Sequence, residues 1–260
     1  MRTKQDWQFE TDNSKISNSR AMSILTVLFY LSCVNLVAII TAPLSRYYLD
    51  APGFVSFRVM LAAIIIGVIL GVTALTLSGI MVFSKSDVTW RPVIMIVMIG
   101  FAPVLIAIFS MGIDALSKPL IHDISTDVND PPQYQETKNL RRAGENSTDY
   151  MRNEIAEKQL TAYPDLKPLV TGLSVDEALI EATQVVKDLQ WEFINVDYGQ
   201  GIIEAYDTSK LFGFIDDIII RVRPEGSGSQ IDIRSSSRVG KGDLGKNAER
   251  IFQFIRTFRT

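Results

Sequence analysis

The run VMLAAIIIGVILGVTALTLSGIMVF, residues 59–83, carries no charged side chain, and its reading decides the architecture. At about 1.5 Å of rise per residue, twenty-one helical residues already reach roughly 31 Å, enough to cross a hydrocarbon core of about 30 Å. Two further runs, Ala21–Ala42 and Val93–Ile113, are equally uncharged. A helix satisfies its own backbone groups in lipid, so the three runs are expected to be three transmembrane helices. The first starts too late and runs too long for a cleaved export signal. The expected organisation is a three-span anchor at 1–118, an extended strap with a short helix at 119–170, and an α+β domain at 171–260.

Basic residues orient the anchor. Arg2, Lys4, Lys15 and Arg20 precede the first run, and Lys85 and Arg91 separate the second from the third, whereas the longer stretch Pro43–Arg58 holds only Arg46 and Arg58. Short cytoplasmic segments retain Lys and Arg, so the amino-terminal tail is expected in the cytoplasm. Three spans would then put the carboxyl-terminal domain on the periplasmic or extracellular side of a multi-pass membrane protein. The chain has 26 Lys and Arg against 29 Asp and Glu, and the excess of acid lies beyond Lys118, which argues against nucleic acid as a partner.

Several chemistries are excluded by residue supply. No Asp, Glu, Lys, Arg or His falls inside the three runs, and proton relays and ion pathways need such groups. Cys33, the only cysteine, lies in the first run, so the outer domain has no thiol nucleophile, disulfide or Cys-based metal site. His122 is the only histidine, which removes multi-His metal sites. Ala63, Gly67 and Gly71 recur every fourth residue, a stripe that lets helices approach closely. Packing among the three helices is the expected use, and a dimer seam the alternative. Asn35 is placed to bond across helices.

After the anchor, Asp127-Val-Asn-Asp-Pro-Pro132 must be extended, because prolines fix φ and push their predecessors out of the helical region. Asn139–Thr148 reads as a charged loop, with Asn146-Ser147-Thr148 a glycosylation sequon only in a eukaryotic secretory setting. A short helix is expected near Asp149–Leu160. Ser174 and Glu177 have capping-box spacing ahead of a helical stripe from Val175 to Leu189. Four strands are expected over Trp191–Asp197, Gly201–Thr208, Phe214–Arg223 and Gln230–Ser236, joined by short turns into an antiparallel meander. A last helix, N-capped by Asp243, would bury Leu244, Ala248, Ile251, Phe252 and Ile255. The fold class expected is thus α+β, the meander carrying both helices on one face.

Three groups of residues could carry chemistry. His122 with Asp123, Asp127 and Asp130 could serve a hydrolase or hold a metal, although carboxylates that cap turns are the plainer reading. Asp216 and Asp217 are neighbours in a strand and so face opposite ways, which rules out a shared metal or proton unless the strand bulges. Asp217 would join Arg221, Arg223, Asp232 and Arg234 in ion pairs on an open, solvated face. Asp216 would sit at a rim near Phe214, Ile218 and Ile220, where burial would raise its pKa unless hydrogen bonds keep it ionised. The loop Ser235–Asp243 opens the last helix, where Arg238 and Lys241 could bind a phosphate or anionic headgroup at free amides for which Asp243 competes.

The stretches Pro119–Asp127, Asn129–Pro132, Tyr163–Leu166, Phe212–Asp217, Arg221–Pro224 and Ser235–Asn247 resemble the domain of unknown function 1499 family in order and spacing, and the anchor is similar to that of its bacterial members. The resemblance implies an exported, membrane-tethered domain without implying an activity. Its signature positions map onto His122, Asp123, Asp127, Pro131, Pro132, Asp216, Asp217, Arg221, Arg238 and Asp243; the candidate functional surface is these without the two prolines and with Lys241. No catalytic, cofactor or metal residue is assigned. A non-catalytic module for an envelope protein or anionic lipid is expected, with an envelope hydrolase using His122 as the alternative, and the sequence leaves the oligomeric state open.

Overall fold

The computed structural model describes residues 4–49, 53–84, 88–111 and 117–259. Arg2, Lys85 and the end of the third apolar run at Gly112–Ile113 lie outside them. The chain forms two compact units, residues 1–112 and 113–260.

The first unit holds helices α1 (Lys4–Leu49), α2 (Gly53–Phe83) and α3 (Trp90–Met111), packed pairwise. Ser19–Leu49 and Gly53–Phe83 are long and apolar enough to cross a membrane. The described apolar part of the third helix, Trp90–Ile106, is shorter, so the three expected spans reduce to two helices that meet the requirement. Only 17% and 22% of the residues in the most apolar windows of those two helices are buried. A soluble core helix would bury most of its apolar side chains, whereas Val34, Ile69 and Val72 point outward.

Small residues set the helix spacing. Ala63, Gly67, Gly71, Ala74 and Ser78 form the buried side of α2. A Cβ on Gly100 of α3 would stand 2.3 Å from the Gly67 carbonyl oxygen, so backbone meets backbone there. Asn35 Nδ2 donates to the Ala63 carbonyl at 2.8 Å, tying α1 to α2. The stripe is therefore used in packing within the unit.

The second unit is a sheet covered on both faces. It has six strands: β1 (Asp123–Ser125), β2 (Leu169–Thr171), β3 (Glu192–Asp197), β4 (Ile202–Thr208), β5 (Ile215–Glu225) and β6 (Gly228–Ser237). Strands β3 to β6 pair antiparallel in chain order. The expected count of four is corrected because β1 and β2 lie end to end along the far side of β6, against Arg234–Ser236 and Ser229–Ile231. Three-residue strands are too short to show an alternating pattern, which is why the sequence reading left them in the strap.

Helix α6 (Val175–Asp188) begins with the expected capping box: Ser174 Oγ accepts from the Glu177 amide while the Glu177 carboxylate accepts from the Ser174 amide. It packs with α7 (Lys246–Phe258) on one face of the sheet, over Ile203, Ala205, Ile218, Ile220, Val222, Ile231 and Ile233. The N-cap of α7 is Gly245 and not the expected Asp243, although the two Asp243 carboxylate oxygens accept from the amides of Gly245 and Asn247. Gly245, at φ 87°, makes the turn into the helix. The stripe differs from expectation. That turn leaves Leu244 exposed and Phe252 half-buried, and Phe254 fills the core, stacked between Trp191 and Phe258.

Helix α4 (Thr137–Leu140) belongs to the segment that crosses the other face, whereas α5 (Arg152–Ala162) runs beside β1 and sends Ile155 into the α6–α7 core. Ile155 and Gln159 are the buried side of α5. The Gln159 amide group bonds both the N–H and the C=O of Ser125, so a side chain takes the place of another strand beside β1. Gly100→Leu is expected to part α2 from α3 and lower the thermal midpoint of the full chain in detergent, with Gly100→Ala intermediate, since overpacking costs about 1–3 kcal/mol. An unchanged midpoint for the leucine variant would refute the close contact.

Candidate functional site

The face of the sheet opposite α6 and α7 is charged and buried. Strand alternation places Glu204 of β4, Asp217 and Arg221 of β5, and Asp232 and Arg234 of β6 on this side. Residues 126–150 lie across it. Expectation placed Asp217, Asp232 and Arg234 in solvent, but these three and Glu204 are fully buried. The solvated face becomes an ionic core because the strap returns as a lid of backbone carbonyls, amides and two tyrosines.

Arg234 is the centre. Its Nε and Nη2 donate to the two oxygens of Asp123 at 2.9 and 2.7 Å. Nη1 donates to the Pro132 carbonyl and Nη2 to that of Thr148. The guanidinium lies between the rings of Tyr134 and Tyr150, 4.8 and 5.2 Å from their centroids. Each such cation–π contact contributes about 0.5–2 kcal/mol. Burial pushes the Tyr134 hydroxyl well above its ordinary range, so it stays protonated and donates to the Asp217 carbonyl at 2.8 Å.

Asp217 takes two arginines. Arg238 approaches Oδ1 through Nη2 at 2.7 Å, and its Nε reaches both oxygens. Arg141, from the strap, donates Nε to Oδ2 at 2.9 Å and continues to the Asn146 and Ser236 carbonyls. Asp216, on the opposite side of the strand, pairs with Arg250 of α7 at 2.8 Å. The two neighbouring carboxylates are thus held apart on different faces, and Asp216 sits at the rim. Glu204 accepts the three amides of Gln135, Glu136 and Thr137, which pins the start of α4.

At the outer end, Arg221 bonds Asp232 and the Asp130 carbonyl and carboxylate, and Arg223 bonds Asp127. Asp127 is partly buried, which raises its pKa. Amide bonds from Asp130 and Asn129, together with Arg223 and Arg221, outweigh this and hold the carboxyl below its ordinary value. Asp243 shows the reverse: burial raises its pKa despite the amides of Asn247 and Gly245.

The expected residues therefore separate into different surroundings. Asp123 is committed to Arg234, while the His122 backbone carbonyl accepts from Ser237 N–H and Asn247 Nδ2. Arg238 points inward to Asp217, whereas Lys241 is exposed. The sequon residue Asn146 spends its side-chain amide on the Ser237 and Gly240 carbonyls. Among the described residues, no group of three His, Cys, Asp or Glu side chains is close enough to hold a metal ion. Sequence reasoning missed Arg141, Tyr134, Tyr150 and Glu204. Only Glu204 left a signal, as a lone acid inside Ile202-Ile203-Glu204-Ala205.

This geometry defines an α+β domain whose sheet is apolar on one side and ionic on the other, following in the chain a unit of apolar helices. The family model described as a protein of unknown function (DUF1499) matches residues 123–258, and the chain belongs to that family. The match opens at Asp123, the partner of Arg234, and closes at the end of α7, so His122 and the helical bundle fall outside it. No curated protein matches the chain significantly.

Arg234→Met is expected to destabilise the full chain by about 3–5 kcal/mol by leaving Asp123 buried without a partner. Adding Asp123→Leu should recover part of that loss, and denaturant unfolding of the two variants checks it. Because the folded Asp127 carboxyl titrates below its unfolded value, its contribution is complete above the ordinary carboxylate range and is lost as pH falls through the lowered pKa. Hydrogen exchange at Asn129 and Asp130, corrected for intrinsic rate, is therefore expected to be slow at neutral pH and to quicken in acid, and Asp127→Asn should flatten that dependence.

Proposed function

We propose that this chain is an integral protein of the cell envelope that holds a non-catalytic binding or scaffold domain outside the cytoplasm. The observation that carries the reading is the commitment of the candidate chemistry to structure. Asp123, Asp217 and Arg238 are buried in ion pairs beneath the strap, and the strap lies along the sheet instead of walling a cleft against His122. Acid–base catalysis needs a group within hydrogen-bond reach of a substrate, and these groups are spent on one another. The surface left for function is the outside of the strap and the free margin of the sheet. An envelope protein or an anionic lipid is the partner class.

For the anchor, the reading makes α3 the third crossing, with the tail before α1 in the cytoplasm. The count matters, because three crossings export the domain and two would return it to the cytoplasmic side. Protease added to sealed right-side-out vesicles is expected to digest the carboxyl-terminal unit and to spare it in inverted vesicles, the opposite pattern refuting export. Cross-linking in intact membranes, with the cross-linker placed at exposed positions of this unit, is expected to capture a discrete partner. Turnover lost on His122→Ala in a folded protein would instead establish the hydrolase.

A further inference from the structure

The two sides of the sheet end differently. Beyond β6 the margin is occupied by β1 and β2, and Gln159 closes the backbone of Ser125. At the other side β3 ends the strand order and, among the described residues, pairs only with β4. A terminal strand presents a row of N–H and C=O groups that can template another strand. Beside it runs an open groove of about 540 Å³ between β3 and α4, bordered by Glu136, Asn139, Leu140, Phe193, Asn195 and Tyr206. Leu140 and Phe193 supply exposed apolar surface in it.

Building on the reading of this unit as a binding module, we propose that the free edge of β3 takes up an extended, basic segment of a partner protein as a seventh strand, seated in this groove. Charge selects the occupant. Glu192 and Asp197 stand at the two ends of β3, and Glu136 borders the groove between strand and helix. A second copy pairing antiparallel over the whole strand would set Glu192 opposite Asp197 at both ends, and like charges directly opposite are unfavourable. A strand bearing Lys or Arg at alternate positions neutralises the same acids while its backbone satisfies the edge, as in other cases of strand addition. The irregularity between Phe193 and Asn195 interrupts a uniform ladder, which fixes the register and discourages indiscriminate pairing.

The test uses the full chain in neutral detergent micelles and a fluorescent peptide of about eight residues alternating Lys and Val, the length of a short added strand. Saturable binding is expected, with slowed hydrogen exchange over Glu192–Asp197 and at the α4 side of the groove. Only alternate amides of an added strand face the edge, so N-methylation of one alternate set should weaken binding by about tenfold or more at unchanged charge, while the other set is tolerated. Glu136→Lys should weaken binding to a similar degree, and an Asp/Val peptide should not bind. Equal binding of both N-methylated peptides, protection elsewhere on the domain, or concentration-dependent pairing of the chain through β3 would each overturn the proposal. If membrane cross-linking captures a partner only through positions away from β3, this edge is wrong while the binding module stands. If it captures nothing from any exposed position, the module reading itself fails.

Discussion

A guanidinium clamped between two phenol rings organises the second unit. Arg234 meets Asp123 at the start of the domain, Pro132 and Thr148 along the strap, and Tyr134 and Tyr150 above and below. A buried charge is costly unless paired and hydrogen-bonded throughout. Every segment that supplies a partner must therefore be in place together, and the strap's path follows from that requirement. Glu204 and Asp217 repeat the arrangement on the neighbouring strands, one collecting amides and the other arginines.

The resulting sheet has two unlike interiors. On the α6–α7 side, burial of isoleucine, valine and phenylalanine provides a driving force that needs no fixed geometry. On the strap side there is little to gain from burial alone, and ion pairs with their desolvation cost add modest net stability. Their effect is to select one alignment of strap on sheet, since a shifted strap would leave charges unmatched.

Local signals made the α6 capping box, the meander strands and the opposed faces of Asp216 and Asp217 readable from sequence. The ionic face was not readable, because alternation shows that Asp217, Arg221, Asp232 and Arg234 share a side without showing what covers it. Charged residues on one side of a strand ordinarily mean water, and here the cover comes from a segment about a hundred residues away, whose prolines and tyrosines carry no periodic pattern. Arg141 lay in a stretch that reads as loop for the same reason. Phe254 takes the core position expected of Phe252, while Ala248, Ile251 and Ile255 are buried as expected; both phenylalanines border the apolar stripe, and spacing alone did not choose between them. For the first unit, hydropathy identified apolar helices readily, while the small-residue stripe gave the contact side of α2 but not its partner, which is Gly100.

The order of these partners along the chain governs when the domain can form. Asp123 is made early and its arginine 111 residues later. At roughly 5–20 residues per second, synthesis leaves several seconds in which the strap has no sheet to grip. The described part of the last apolar helix ends at Met111, a dozen residues before that interval begins. A nascent chain would thus keep its polar half open and lock it only when the last hairpin arrives.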